Sequence, residues 1–319
     1  MDNFEEETII KIRNKPSYKT RLFDFFIPYR IEYLWKIYSN KLSFSGVSKE
    51  HNDLIVSLTS WKKRINTAFL AIRSLMLQTY KPEKILLWLS EEEFPSKEEE
   101  IPSSLLDLQE YGLEIKWCDK NLLSHKKLIY SIQEFPNHSI VTADDDLYYR
   151  ESYIEDLYSE YLKYPEYIHC HRGLRIFINS SGKLGVIKDR GYNPYMFPTI
   201  LNEATCGGGA LFPPNSLYKD FCNEKFISKL SLYSSDLWFW AMSVLKGTKT
   251  KVTQNFKKHL NLLFIKDTQK NGLDKINTNN ENNSEILKKQ IFNVILRYPQ
   301  IYILAKGSSE FANSRISIS

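Results

Sequence analysis

Three consecutive acids, Asp144-Asp145-Asp146, follow directly on the run His138-Ser-Ile-Val-Thr-Ala143. That run has the length and β-branched content of a buried strand, which places the acids at a strand end rather than in an acidic surface turn. Adjacent carboxylates repel one another, and a half-buried cluster is costly unless a cation offsets it. A hard divalent ion such as Mg²⁺ or Mn²⁺ prefers such oxygen ligands. Alternate residues of an extended segment point the same way, so Asp144 and Asp146 can face one metal while Asp145 turns elsewhere. A metal held by one or two carboxylates keeps positions open for substrate phosphates.

The elements that must position these acids alternate along the chain. Residues 53–59 form a short β-rich run, followed by Ser60-Trp-Lys-Lys-Arg-Ile65 and a helical pattern over 67–78 that Lys81-Pro82 ends. Further strands are expected at 84–89 and 113–117, and helices at 103–111 and 126–134. This order predicts an α/β fold with a mainly parallel central sheet and helices on both faces. In such a sheet ligands bind at the carboxyl ends of the strands, where the three aspartates fall. A phosphatase of the haloacid dehalogenase type also sets an aspartate pair after a strand, but normally after its first, whereas three strand units precede Asp144. Beyond 150 the pattern loosens through 167–178 and the Gly- and Pro-bearing stretch 182–214 into a helical segment at 236–245. Residues 268–283 are Asn-rich and suit a disordered linker, after which 284–297 resume a helical pattern.

With 319 residues, 42% of them hydrophobic, the chain can bury a full core. The expected organisation is an N-terminal helical and aromatic segment (1–50), a catalytic domain (51–265) and a C-terminal polar loop and helix (266–319). A balance of 43 basic against 38 acidic residues, net +5, is too mild and evenly spread to indicate a nucleic-acid partner. Cys118, Cys170, Cys206 and Cys222 show neither CxxC pairing nor zinc-ligand spacing, which points to buried reduced thiols and a cytoplasmic setting. Residues 1–15 lack the order of a signal peptide, and no stretch has the roughly 18 apolar residues of a membrane span. A soluble or peripheral protein is expected. Residues 21–38 interleave Phe23, Phe25, Phe26, Tyr29, Tyr33, Trp35 and Tyr38 with Arg21, Arg30 and Lys36. Such a strip is either a helix packed on the domain, the commoner meaning of an aromatic stripe, or an amphipathic helix on the inner face of the cytoplasmic membrane.

Taken in order, Val56-Ser-Leu-Thr-Ser-Trp-Lys-Lys-Arg-Ile65, Lys126-Lys-Leu128, Thr142-Ala-Asp-Asp-Asp146, His171-Arg172, Gly207-Gly-Gly-Ala-Leu-Phe-Pro-Pro214 and Ser235-Asp-Leu-Trp238 resemble bacterial GT-A glycosyltransferases related to family two. The resemblance spans about residues 53–265 and looks closest to the transferases found with capsule and lipopolysaccharide genes. It implies a GT-A fold, a Rossmann-like nucleotide-diphospho-sugar transferase, in which the first strand and its loop bring Thr59, Ser60 and Arg64 to the nucleotide. An acid after the second strand reads the base in relatives; Glu91 is the nearest candidate, with Glu92 and Glu93 beside it. Lys127, ahead of Lys126, is the implied countercharge to the diphosphate, and His171 and Arg172 are implied at the site floor. Gly207, Gly208 and Gly209 correspond to an acceptor or donor-sugar loop. Asp144 and Asp145 would meet the donor, and Asp144 and Asp146 the Mn²⁺ or Mg²⁺. Asp236 corresponds to the catalytic base, although Ser235-Asp236 stands where many relatives carry two acids, and Asp is also a favoured helix cap. His259 matches a late metal ligand of some GT-A enzymes, but Lys257 and Lys258 beside it predict an exposed basic turn.

The function implied is transfer of a sugar from a UDP- or GDP-linked donor to a hydroxyl of a surface glycan or lipid-linked acceptor, with inversion at the anomeric carbon. The rivals are a retaining GT-A transferase, a sugar nucleotidyltransferase, and a catalytically inactive nucleotide-sugar-binding scaffold. A nucleotidyltransferase would normally carry a glycine-rich loop after the first strand, and Ser60-Trp-Lys-Lys-Arg64 has no glycine.

Overall fold

The computed structural model describes residues 18–48, 50, 52–178, 182, 184–187, 194–271 and 283–316. The strands are β1 (Leu54–Thr59), β2 (Lys84–Ser90), β3 (Leu113–Cys118), β4 (Ser139–Thr142), β5 (Leu147–Tyr148), β6 (Ile168–Cys170), β7 (Gly173–Ile178), β8 (Leu184–Ile187), β9 (Asn202–Ala204), β10 (Ala210–Phe212), β11 (Thr250–Val252) and β12 (Leu263–Phe264). Seven of them form the central sheet, in the order β11-β6-β10-β4-β1-β2-β3, and only β10 runs antiparallel to its neighbours. The chain is therefore a mixed α/β protein with a mainly parallel sheet. Strands β7, β8 and β9 make a second sheet, and β5 pairs with β12.

The pleat explains how one apolar run serves two cores. Leu54, Val56 and Leu58 of β1 face one cluster with Ile72 and Leu75, whereas Ile55 faces the other with Leu128 and Ile129. Of the helices α1 (Tyr18–Tyr38), α2 (Ala68–Met76), α3 (Ser103–Leu106), α4 (Lys126–Glu134), α5 (Tyr153–Lys163), α6 (Glu224–Leu230) and α7 (Ser235–Lys246), α2 thus covers one face and α4 the other. Helix α7 is buried from Leu237 to Val244, as its near-continuous apolar run requires.

Helix α1 packs on the domain through one face: Ile27, Ile31 and Trp35, spaced four apart, are buried. Asp24 pairs with Arg150, and Arg30 with Glu151 at 2.9 Å. The opposite side leaves Phe25, Phe26, Tyr29 and Tyr33 between 54% and 65% exposed. Among the described residues no helix is long and apolar enough to cross a membrane. Within the Asn-rich stretch, Thr268–Asn271 is a 3₁₀ turn rather than linker. Residues 272–282 lie outside the described residues, as do parts of the stretch 182–214.

The core contains histidines that the fold keeps neutral. His125, fully buried against Phe239, is pushed down to about 3, chiefly by burial, and burial also lowers His169, His171 and His259. A folded-state pKa below the unfolded value means that protons bind the unfolded chain preferentially. The stability involved is complete above about pH 6.5 and is lost as pH falls towards the folded pKa. For His125 alone the loss is about 2 kcal/mol at pH 5. Urea denaturation should therefore show the wild type losing stability relative to His125→Gln between pH 7.5 and pH 5; a difference between the two that does not change with pH would contradict this account.

Candidate active site

The carboxyl ends of the central strands open into a cleft of about 680 Å³. Residues far apart in sequence meet there because each closes a strand or opens a helix at the same edge of the sheet. Thr59 ends β1, Ser60 and Arg64 come from the loop after it, and Lys126 and Lys127 come from the first turn of α4. Asp144, Asp145 and Asp146 follow β4, Arg172 follows β6, Gly207 and Gly208 precede β10, and Asp236 lies in the first turn of α7.

Each aspartate of the triplet has its own partners. Asp145, 4% exposed, accepts a hydrogen bond from Ser60 Oγ at 2.6 Å and one from Arg64 Nη1 at 3.0 Å. Asp146 Oδ2 lies 2.8 Å from the same guanidinium nitrogen and accepts from Gln269 Nε2 at 2.7 Å. Asp144, the most exposed of the three, is paired with Lys127. Burial opposes the charge on Lys127, but Asp144 and then Asp236 hold its pKa above the ordinary lysine value. Burial, reinforced by Asp144, pushes Asp146 up to about 7, with Arg64 opposing; burial also raises Asp145 and Asp236. When ionised, the four carboxylates of Asp144, Asp145, Asp146 and Asp236 face the two cations Arg64 and Lys127, a formal excess of two negative charges. An all-carboxylate donor set with that excess fits a hard divalent cation, and all three aspartates of the triplet line the cleft.

Both lysines of α4 are buried, Lys126 at 1% and Lys127 at 2% exposure, so neither is the solvated charge common at a helix start. Lys126 binds Glu93 at 3.2 Å and Asn121 at 2.8 Å, and all three line the cleft. Glu91 does not reach the lining; it pairs with Lys97 at 2.8 Å. Thr59 lines the cleft while its hydroxyl donates to the Trp88 carbonyl at 2.7 Å.

Arg172 lines the cleft, but His171 does not. Its ring is fully buried behind the floor, with Nε2 2.9 Å from the Tyr153 carbonyl and Nδ1 2.8 Å from Thr253 Oγ1. His259 stacks on it at 3.8 Å between centroids and places Nε2 2.9 Å from Asp156 Oδ2. The exposed basic turn expected here holds for Lys257 and Lys258 but not for His259, which is 4% exposed, because the Asp156 carboxylate and the His171 ring draw it inward. The three glycines follow from close approach. A Cβ at Gly207 would lie 1.8 Å from Asp144 Oδ2, one at Gly208 2.5 Å from Thr205 Oγ1, and Gly209 has φ +106°.

Three contributors carried no signal in the sequence. Gln269 reaches Asp146 from a segment whose composition resembles a linker. The Tyr149 hydroxyl accepts from the Asp144 N–H at 2.6 Å and donates to the Gly207 carbonyl at 3.2 Å. Cys206 donates its backbone N–H to Asp236 Oδ1 at 3.1 Å. Only the closeness of Tyr149 to the aspartates could have drawn attention to it.

No protein-family model matches the chain, and no curated protein matches it. Among solved structures, the chain is similar to the mannosyltransferase PcManGT from Pyrobaculum calidifontis in complex with GDP-Man and Mn²⁺, at 11% identity and a TM-score of 0.39, covering 93% of this chain and 85% of that one. A likeness at that level fixes neither fold family nor activity.

Proposed function

We propose that the chain is a glycosyltransferase of the GT-A type that moves a sugar from a nucleoside diphosphate donor to a hydroxyl of a glycan or lipid-linked acceptor, with inversion. The observation that carries this is the cleft at the strand ends, where the carboxylates of the aspartate triplet and of Asp236, in the first turn of α7, outnumber the Arg64 and Lys127 cations set among them. Asp144 and Asp146 would hold Mn²⁺ or Mg²⁺, which when bound supplies positive charge to the departing nucleoside diphosphate. Arg64 and Lys127 already stand at these carboxylates and would turn towards the donor phosphates, while Ser60 keeps Asp145 in place. Asp236, raised by burial, would take the proton of the acceptor hydroxyl as it attacks the anomeric carbon. Glu93, rather than Glu91, would meet the base or ribose; its place in the cleft lining beside Lys126 and Asn121 supports this.

The deciding experiment is release of nucleoside diphosphate from a panel of UDP-glucose, UDP-galactose, UDP-N-acetylglucosamine and GDP-mannose, with Mn²⁺ and with EDTA. Turnover of at least one donor, lost in EDTA, is expected. Tight Mn²⁺-dependent nucleotide binding without turnover of any donor would favour the inactive scaffold instead.

A peripheral membrane contact fits the outer face of α1, where Phe25, Phe26, Tyr29 and Tyr33 are exposed beyond the packed face. Replacing Phe25, Phe26 and Tyr29 by serine should abolish co-sedimentation with anionic liposomes and leave donor turnover unchanged. Unaltered liposome binding would sink this contact.

A further inference from the structure

We infer that Gln269 is a positioning residue for Asp146, its side-chain amide fixing one carboxylate oxygen so that the other is presented to the divalent cation. The inference rests on the proposed role of Asp146 as a metal ligand.

Both donors to the Asp146 carboxylate fall on the same atom. Oδ2 accepts from Gln269 Nε2 at 2.7 Å and lies 2.8 Å from Arg64 Nη1, and Oδ1 takes neither. Asp145 differs, because Ser60 binds its Oδ2 and Arg64 its Oδ1, which engages both oxygens. The torsion of an aspartate carboxylate is soft and roughly two-fold. Donors fixed at one oxygen therefore decide which of the two is left for a ligand.

Gln269 is brought there by a segment that grips Asp146 twice. Strand β12 pairs antiparallel with β5, setting Phe264 opposite Leu147, and the Ile265 N–H then donates to the Asp146 carbonyl at 2.8 Å. Ile265 and Thr268 are buried, and Thr268 Oγ1 closes on the Ile265 carbonyl at 2.7 Å. In the same turn Lys270 pairs with Asp267 at 2.8 Å on the exposed side, whereas Gln269 lines the cleft. The backbone and the side chain of Asp146 are thus held by one strap from near the end of the chain.

That the donor is a neutral amide has a physical consequence. Arg64 serves Asp145 and Asp146 together, and turning towards donor phosphates would take its guanidinium away from Oδ2. Gln269 carries no charge for a phosphate to attract, so it keeps Oδ2 occupied in that state. It does so without cancelling the negative charge that draws in a cation, which a lysine or arginine at 269 would do.

The test uses the full chain and Mn²⁺ alone, by calorimetry and by the Mn²⁺-dependent rise in melting temperature. Gln269→Met keeps the length of the side chain and removes the donor. It should weaken Mn²⁺ binding by about 10- to 100-fold, the usual effect of losing a hydrogen bond that orients a ligand. Thr268→Val, which disturbs the same turn without touching Asp146, should leave Mn²⁺ affinity near that of the wild type. With the fastest nucleotide sugar of the panel above, the defect of Gln269→Met should lie in the Mn²⁺ concentration required and not in kcat at saturating Mn²⁺. Unchanged Mn²⁺ affinity in Gln269→Met, or an equal loss in Thr268→Val, would overturn the positioning role while leaving the metal site in place. Should the methionine variant not fold, Gln269→Ala carries the same expectation. A wild type that binds no Mn²⁺ would remove the metal reading itself, and the role of Gln269 with it.

Discussion

Asp146→Ala should abolish turnover, by about 10³-fold or more, while the protein stays folded, because several kcal/mol of transition-state charge stabilisation disappear with the metal site. The fold should survive because Asp146 is an expensive group to keep ionised. It is buried, crowded by Asp144, and its pKa is pushed up to about 7. Removing it relieves that crowding and still leaves Arg64 bound to Asp145 at 3.0 Å. In the wild type Mn²⁺ should raise the melting temperature by mass action on the folded state, and in Asp146→Ala that increment should vanish. Calorimetry with GDP and UDP, in Mn²⁺ and in EDTA, examines the same point from the ligand side. Equal nucleotide affinity in EDTA would remove the metal role.

Asp236→Asn should lower turnover by about 10² to 10⁴, the range that general base catalysis usually supplies, with nucleotide affinity nearly intact. Asparagine keeps the size of the side chain and an oxygen able to accept from the Cys206 N–H, but it cannot take a proton from an acceptor hydroxyl. Burial raises the Asp236 pKa towards the working pH, which suits a base better than an ordinary surface aspartate would. A variant that retains most of its turnover would point to a retaining mechanism or to a base elsewhere. Turnover, affinity and melting temperature falling together would instead mark Asp236 as a structural residue at the start of α7.

Much of the scaffold was legible because it rests on local pattern. The runs that became β1, β2, β3 and β4, and the helix Lys126–Glu134, follow from apolar periodicity and its interruptions. The antiparallel β10 was not legible, since a three-residue strand carries no periodicity and its direction depends on how the chain returns to the central sheet from the small sheet of β7, β8 and β9. Glu91, Glu92 and Glu93 could not be told apart because neighbouring residues after a strand differ in direction, not in chemistry, and only the turn sends Glu93 to Lys126 and Glu91 to Lys97. His171 and Arg172 show the same effect: adjacent in sequence, one faces the cleft and the other packs behind it against His259.

By itself the sequence determined where the acids would gather, because three aspartates after a buried strand must lie at the carboxyl edge of a parallel sheet. Tertiary structure alone decided how their charge is managed. Arg64 is shared between Asp145 and Asp146, Lys127 stands between Asp144 and Asp236, Gln269 returns from the far end of the chain to Asp146, and Cys206 grips Asp236. These pairings join residues from 17 to 123 positions apart. The electrostatic energy that selects them depends on distance and burial in space, and neither quantity is encoded in the spacing of residues along the chain.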